Sequence, residues 1–350
     1  MVHVNKCIYY KDDLELTYKT KEHVISAGIG GSRTLPLGMV SDQANRIFSA
    51  MELEVLRNSP ISLNRYFYGP GKRGSSSDKK RTKSPILIME SENELVNLGY
   101  LELGEPKLIP QIRLNEKNEI SFHCNSDIGD THEQQLIFFE QLKYFKMELL
   151  EEVKEKKVSK KNFVLGFLKD RWYMFSNISE INQNIEDYIS KISLEDIKES
   201  KTINTEKNVK AGGYLRIDER YLRFLGKTAF NTFAYLYGHE IALLPEFDKL
   251  RNWIIKGGEN QFVKHLYNES NILDYYKVPE DAHSILFHQK NEIVFAEVRI
   301  YGETLPLPCV VLTEKFSKKI SSNGFICDWK IKEEITLYEL LRSNPYNKIK

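Results

Sequence analysis

The chain lacks several things, and each absence narrows what it can be. No apolar run approaches the roughly 20 residues that a bilayer-spanning helix needs, so a membrane role is not expected. There are only four cysteines, Cys7, Cys124, Cys309 and Cys327, none in a Cys-x-x-Cys pair. A disulfide framework is therefore not expected, and four reduced thiols suit a reducing compartment. The first residues, MVHVNKCIYYKDD, carry charges where a signal peptide would be apolar, which favours a cytoplasmic protein. No internal repeat is present. An excess of one charge is missing too, because the formal net charge is only +1. Taken alone, that argues against a polyanion partner.

What is there points elsewhere. With 350 residues and 41% apolar content, the chain can build two or three compact units of about 100–200 residues each. Its charge is unevenly spread. Residues 1–85 hold 14 Lys/Arg and 8 Asp/Glu, whereas the rest holds 36 and 41. Nucleic acid, if bound, would meet this basic N-terminal part.

Composition suggests two boundaries. Residues 69–85, GPGKRGSSSDKKRTKSP, read as an exposed loop or linker, and 199–213 form a second polar stretch. The expected divisions are 1–85, 86–205 and 206–350. Within 86–124, short apolar runs alternate with Pro, Asn and Gly, as strands and turns do. Phe138, Leu142, Phe145, Leu149 and Val153 recur at helical spacing and predict one helix through all five; a weaker helical pattern runs through 178–200. Leu222, Leu225, Ala229, Phe233 and Leu236 predict a second strong helix, ended by Gly238 in a left-handed conformation. A further helix is expected near 247–256, with strands at 284–288, 292–300 and 307–313, the first two joined by a short turn near Lys290-Asn291. The fold class is α+β.

The segment with chemical content is 21–57, KEHVISAGIGGSRTLPLGMVSDQANRIFSAMELEVLR. Glu22-His23-Val24-Ile25 suits a short strand. Gly28, Gly30 and Gly31 allow an unusual loop, 37–40 suits a returning strand, and Ser41 or Asp42 can cap a helix burying Ile47, Phe48, Met51 and Val55. Breaking a phosphodiester calls for a cation to stabilise charge on the leaving oxygen, and for a base to deprotonate water. Magnesium prefers oxygen ligands, which Glu22 and Asn45 offer; His23, neutral near pH 7, is the candidate base. Adjacent strand residues point to opposite faces, so Glu22 and His23 serve one site only if the strand ends or twists there.

Glu22-His23-Val24-Ile25, Gly30-Gly31, Thr34-Leu35-Pro36 and Asn45 opening a helix together resemble the HNH endonuclease family, the ββα-metal fold. The resemblance implies an N-terminal ββα-metal (HNH-like) unit packed on a larger mixed helix and strand body. It implies Glu22 and Asn45 as ligands of a divalent metal ion (Mg2+ or Mn2+), His23 as general base, and hydrolysis of DNA leaving a 5′-phosphate. Host defence or restriction is a role found in the family. The family's central Asn or His has no clear match, and Thr34 or Arg33 lies closest. Many relatives clamp this fold with four zinc cysteines. The corresponding positions here are Cys7, Tyr10, Ser41 and Ala44, so no structural zinc is expected. GKTAFNTFAYLYG followed by FDKLRNWIIKG, within 226–257, is similar to a helical segment downstream in larger HNH proteins.

Candidate phosphate contacts are Arg33, Arg46, Arg65, Lys72 and Arg73. Lys79, Lys80, Arg81 and Lys83 read as a loop that raises non-specific affinity. Core packing is the expectation for Tyr66, Phe67 and Tyr68, with base stacking the rival reading. His123, Cys124 and His132 match no established metal pattern, and His283 and His288 read as structural. His239 follows a helix-ending glycine, and Asp248 with Arg251 reads as a local helix pair. The alternative to an enzyme is a decayed HNH-like protein that binds nucleic acid or a partner. For the enzyme the expected partner is DNA, with room for a homo-oligomer or a partner protein.

Overall fold

The computed structural model describes the chain except for residues 1–4, 12–14, 72–80, 91–95, 115–118, 154–160, 204–209, 213–216, 267–277, 280, 303–306 and 344–350. It is a mixed α+β protein with three sheets. Two compact units are present: Met1–Thr82 with Leu215–Lys350, and Lys83–Tyr214. The N- and C-terminal segments, read as separate regions, belong to one unit and contribute to one hydrophobic cluster.

In the first unit the long helix Glu219–Tyr237 is central. Asp218 caps it by accepting from the Tyr221 amide at 3.1 Å. Every residue from Phe224 to Ala234 is buried, so the helix is enclosed on all sides. Its apolar residues pack against a six-stranded antiparallel sheet. The strand order is Val263–Leu266, Leu307–Thr313, Ile293–Arg299, His283–Lys290, Asn323–Asp328 and Glu333–Thr336. The predicted hairpin turn is there, with Asn291 at φ 56° between two of these strands. Gly238 has φ 96° with ψ 161°, a glycine conformation but not the left-handed helical one expected.

The N-terminal segment folds onto the same core. Helix α1 (Asp42–Asn58) is capped by Ser41, whose hydroxyl accepts from the Ala44 amide, and it buries Ala44, Phe48, Met51 and Val55; Ile47 is only half-buried. Helix α2 (Pro60–Tyr68) starts with proline at its first position, where a missing N–H costs nothing.

Two expected details differ before α1. His23 forms an isolated antiparallel bridge with Thr34, and the partner of the Glu22 segment is 33–35 rather than 37–40. The chain turns back sooner because the Ser26 carbonyl accepts from both Ile29 and Gly31, closing a tight turn over Ala27–Ile29. Gly31 is required there, since a Cβ would lie 2.0 Å from the Ile25 carbonyl oxygen. Gly38 and Met39 instead accept from Lys6 and Ile8. That pairing brings Cys7 to Ser41, whose amide donates to the Cys7 sulfur at 3.3 Å.

The second unit holds two sheets. One has the order Lys210–Gly212, Leu87–Glu90, Val96–Glu102, Glu105–Leu108. The other has six strands, with Phe163–Leu168 and Gln111–Leu114 at its centre. The helix Thr131–Leu142 covers a core of Phe122, Phe138, Phe163 and Trp172. The predicted helix through Val153 stops at Leu142. Phe145 instead packs edge-on against Trp172, and Leu150–Glu152 becomes a strand paired with Trp172–Met174. Cross-sheet packing outcompetes the helical spacing. All four cysteines are buried, and none is in a disulfide.

Candidate functional site

The bridge between His23 and Thr34 sets the geometry of the candidate site. Directly paired residues share a face, so His23 and Thr34 point one way and Glu22, Val24, Arg33 and Leu35 the other. Glu22 therefore turns inward, toward the long helix. It is 9% exposed, and its Oε1 meets the ammonium of Lys227.

Lys227 is fully buried and lies between two carboxylates. Besides Glu22 it donates to Glu52 Oε1 at 2.7 Å. A buried ammonium without such partners costs several kcal/mol. Burial works against its charge, but Glu22 and Glu52 outweigh burial and hold Lys227 above the ordinary lysine range. Burial raises Glu22 above the usual carboxylate range, against the pull of Lys227.

The network is closed by polar groups from four segments. Asn231, one helical turn beyond Lys227, donates to Glu22 Oε1 at 3.3 Å and to the His23 carbonyl at 2.9 Å. Its Oδ1 accepts from the Tyr9 hydroxyl at 2.6 Å. Ser26 donates to Glu52 Oε2 at 2.8 Å and accepts from the Gly28 amide. Glu22 Oε2 accepts no hydrogen bond from a described residue.

His23 is half-exposed, and its ring makes no hydrogen bond with a described residue. Burial first, then the nearby Lys227 charge, lowers its pKa, against the opposing influence of Glu52 and Glu334. That direction favours the uncharged imidazole.

Asn45 lies inside the first turn of α1 and does not cap it, since Ser41 does. Its amide nitrogen donates to Thr20 Oγ1 at 2.9 Å. Thr20 gives its single hydroxyl proton to Asp42 at 2.7 Å and can only accept from Asn45. The amide orientation is thereby fixed. Asn45 Oδ1 faces away from Thr20, buried and without a hydrogen-bond partner. Asn45, Phe48 and Glu52 share one stripe of α1, at spacings of three and four. The Lys227 ammonium lies 5.5 Å from the Phe48 ring centre.

Among the described residues no three His, Cys, Asp or Glu side chains gather as a metal-binding group. A cation here would draw on an amide. Asn45 Oδ1, and Glu22 Oε2 among the described residues, lack hydrogen-bond partners; an amide and a carboxylate oxygen are donor types that suit a hard divalent ion.

The basic candidates part ways. Arg46 is exposed beside Asn45. Arg65, expected to contact phosphates, is 7% exposed and is spent inside the fold on the Leu56 carbonyl at 3.1 Å and Thr82 at 3.2 Å. Arg33 is held by the Tyr235 hydroxyl at 2.7 Å and by the Glu334 backbone, while Glu334 also takes the Arg33 and Ser32 amides. Lys72 and Arg73 lie outside the described residues, as do Lys79 and Lys80. Tyr66 is core, donating to the Arg57 carbonyl, but Phe67 and Tyr68 are exposed.

The remaining histidines have other work. His123 is buried against Ser121, Cys124 lies on the opposite strand face, and His132 is exposed, so the three do not gather. His283 joins the Ile29 carbonyl to the Tyr301 amide. His239 bonds the Lys6 carbonyl at 2.6 Å. The local pair of Asp248 and Arg251 is present at 3.0 Å.

Lys227, Asn231, Glu52, Tyr9 and Thr20 were not singled out from the sequence. A signal for two of them existed. Lysine and asparagine stand four residues apart inside the apolar run FLGKTAFNTFAYLYG, and a lysine enclosed there needs a carboxylate. Compared with family models, curated proteins and solved structures, the chain matches none.

Proposed function

We propose that this chain is a metal-dependent endonuclease that hydrolyses DNA phosphodiester bonds, with the bridge at His23 and helix α1 forming an HNH-like ββα unit. The observation that carries this reading is the pair of oxygens without described hydrogen-bond partners, Asn45 Oδ1 and Glu22 Oε2, taken together with the half-exposed imidazole of His23. Those oxygens would hold Mg2+ or Mn2+, which when bound supplies Lewis acidity to the phosphate and its leaving oxygen. His23 takes a proton from the attacking water. Thr20 keeps the Asn45 amide from turning over. Arg46, exposed next to Asn45, meets the phosphate backbone.

The arrangement of Cys7 and Ser41 also favours the family resemblance. Two of the four positions where relatives carry zinc cysteines meet through an amide-to-sulfur hydrogen bond. A role in host defence follows from the resemblance alone. No described helix is long and apolar enough to cross a membrane. The test is plasmid nicking in Mg2+ and in Mn2+, with chelator as control. Wild-type protein should nick only with metal, and absence of nicking in both ions refutes the assignment.

One observation favours a second reading, a decayed HNH-like protein that binds nucleic acid or a partner. Lys227 already supplies Glu22 with a positive charge. Such a protein would shift DNA in a salt-sensitive way and never cut it.

A further inference from the structure

We infer that Lys227 and Asn231 are positioning residues of this site, gripping Glu22 by one carboxylate oxygen so that the other is presented to a cation; this rests on the metal-site reading above. Both lie on one stripe of a helix enclosed from Phe224 to Ala234. The other buried hydroxyls of that stretch are satisfied within the helix. Thr228 donates to the Phe224 carbonyl at 2.9 Å, and Thr232 to the Thr228 carbonyl at 2.8 Å. Lys227 and Asn231 alone in that stretch reach out to the N-terminal segment through hydrogen-bonding side chains, and both reach Glu22 Oε1.

Asn231 has one workable orientation. Turned over, its oxygen would face Glu22 Oε1 and the His23 carbonyl, two acceptors with no proton between them. As placed, a single amide spans both residues of the Glu22-His23 pair, and Tyr9 locks it from behind. Glu52 gives Lys227 a second anchor on α1, and Ser26 holds Glu52 in turn. Among the described residues each side-chain oxygen of this network has a partner except Glu22 Oε2. The long helix therefore aims the carboxylate as well as supporting the core. Outer partners of metal ligands act in this way in general.

The experiment uses the full chain, as wild type, K227M, K227R and N231L. Free Mn2+ is followed by electron paramagnetic resonance, well below each variant's unfolding midpoint, and nicking kcat and KM are measured alongside. K227M should weaken Mn2+ binding ~10-fold or more and lower kcat similarly, leaving KM for DNA within about twofold. K227R, which keeps the cation, should recover most of the loss. N231L should weaken Mn2+ binding in the same direction. Folded K227M or N231L with wild-type Mn2+ affinity overturns the inference, and N231L carries the test if K227M does not fold. Wild-type protein that binds no Mn2+ overturns it as well. Mn2+ binding that weakens in the variants, without nicking by any of them, upholds the positioning role and removes the nuclease reading instead.

Discussion

Thr20 and Asn45 are joined by a hydrogen bond that runs in one direction only: the threonine oxygen accepts from the amide at 2.9 Å because its own proton is already given to Asp42. The bond decides which end of the amide faces away from Thr20. Valine at position 20 keeps the shape and removes that control. T20V should lower metal affinity or cleavage ~10–100-fold while the unfolding midpoint moves little. Unchanged Mn2+ affinity would show that Asn45 does not need this partner.

His23 is expected to be needed for the chemical step and for little else. It is half-exposed, and its ring is unbonded among the described residues. H23A should reduce nicking by ~10²–10⁴-fold, the usual range for loss of a general base, with DNA affinity and thermal stability preserved. Gel shift and calorimetry on the same preparation check this. Nicking at the wild-type rate would remove His23 from the mechanism.

Two arginines should behave oppositely. Arg65 is enclosed and bonded to the Leu56 carbonyl, so R65A should cost about 2–3 kcal/mol of stability without changing the salt dependence of DNA binding. Arg46 is exposed, so R46A should leave stability alone and reduce the slope of log affinity against log salt by ~1. Denaturant midpoints and binding at three salt concentrations separate the two. The reverse pattern would place the nucleic-acid surface elsewhere.

Acid should destabilise the fold before its carboxylates titrate. Burial pushes His283 down to about 4 and His123 down to about 3. Both are below the unfolded value near 6.5. The unfolded chain then binds more protons, so their contribution to stability is complete above about pH 6.5 and is lost as pH falls toward the folded values. Urea midpoints should fall between pH 7.5 and pH 5, and less steeply in H123N. A flat profile over that interval would contradict the burial of these rings.

Much of the architecture could be read from spacing. Helix α1, its Ser41 cap and its buried stripe were legible because cap chemistry and amphipathic periodicity are local. The long helix was legible for the same reason, as was the turn at Asn291. The run from Phe138 to Val153 misled, because Trp172, distant in sequence, draws Phe145 into a different core. The return of the chain at Arg33 was hidden in backbone bonds around Ser26 that side-chain patterns do not encode. Glu22, His23 and Asn45 are candidates by residue type alone. Their supports could not, because Lys227 and Asn231 act across a gap of more than two hundred positions. Arg65 shows the limit of counting charge, since an arginine near a basic stretch can serve the interior as well as the surface.

The ion pair between Glu22 and Lys227 also orders events during synthesis. The N-terminal part of the site is made first, and all of 83–214 follows before the long helix exists. Until that helix clears the ribosome, a nascent chain carries its glutamate and histidine without the groups that hold them. In a polypeptide cut short before residue 227, Glu22 would therefore lack its counter-charge.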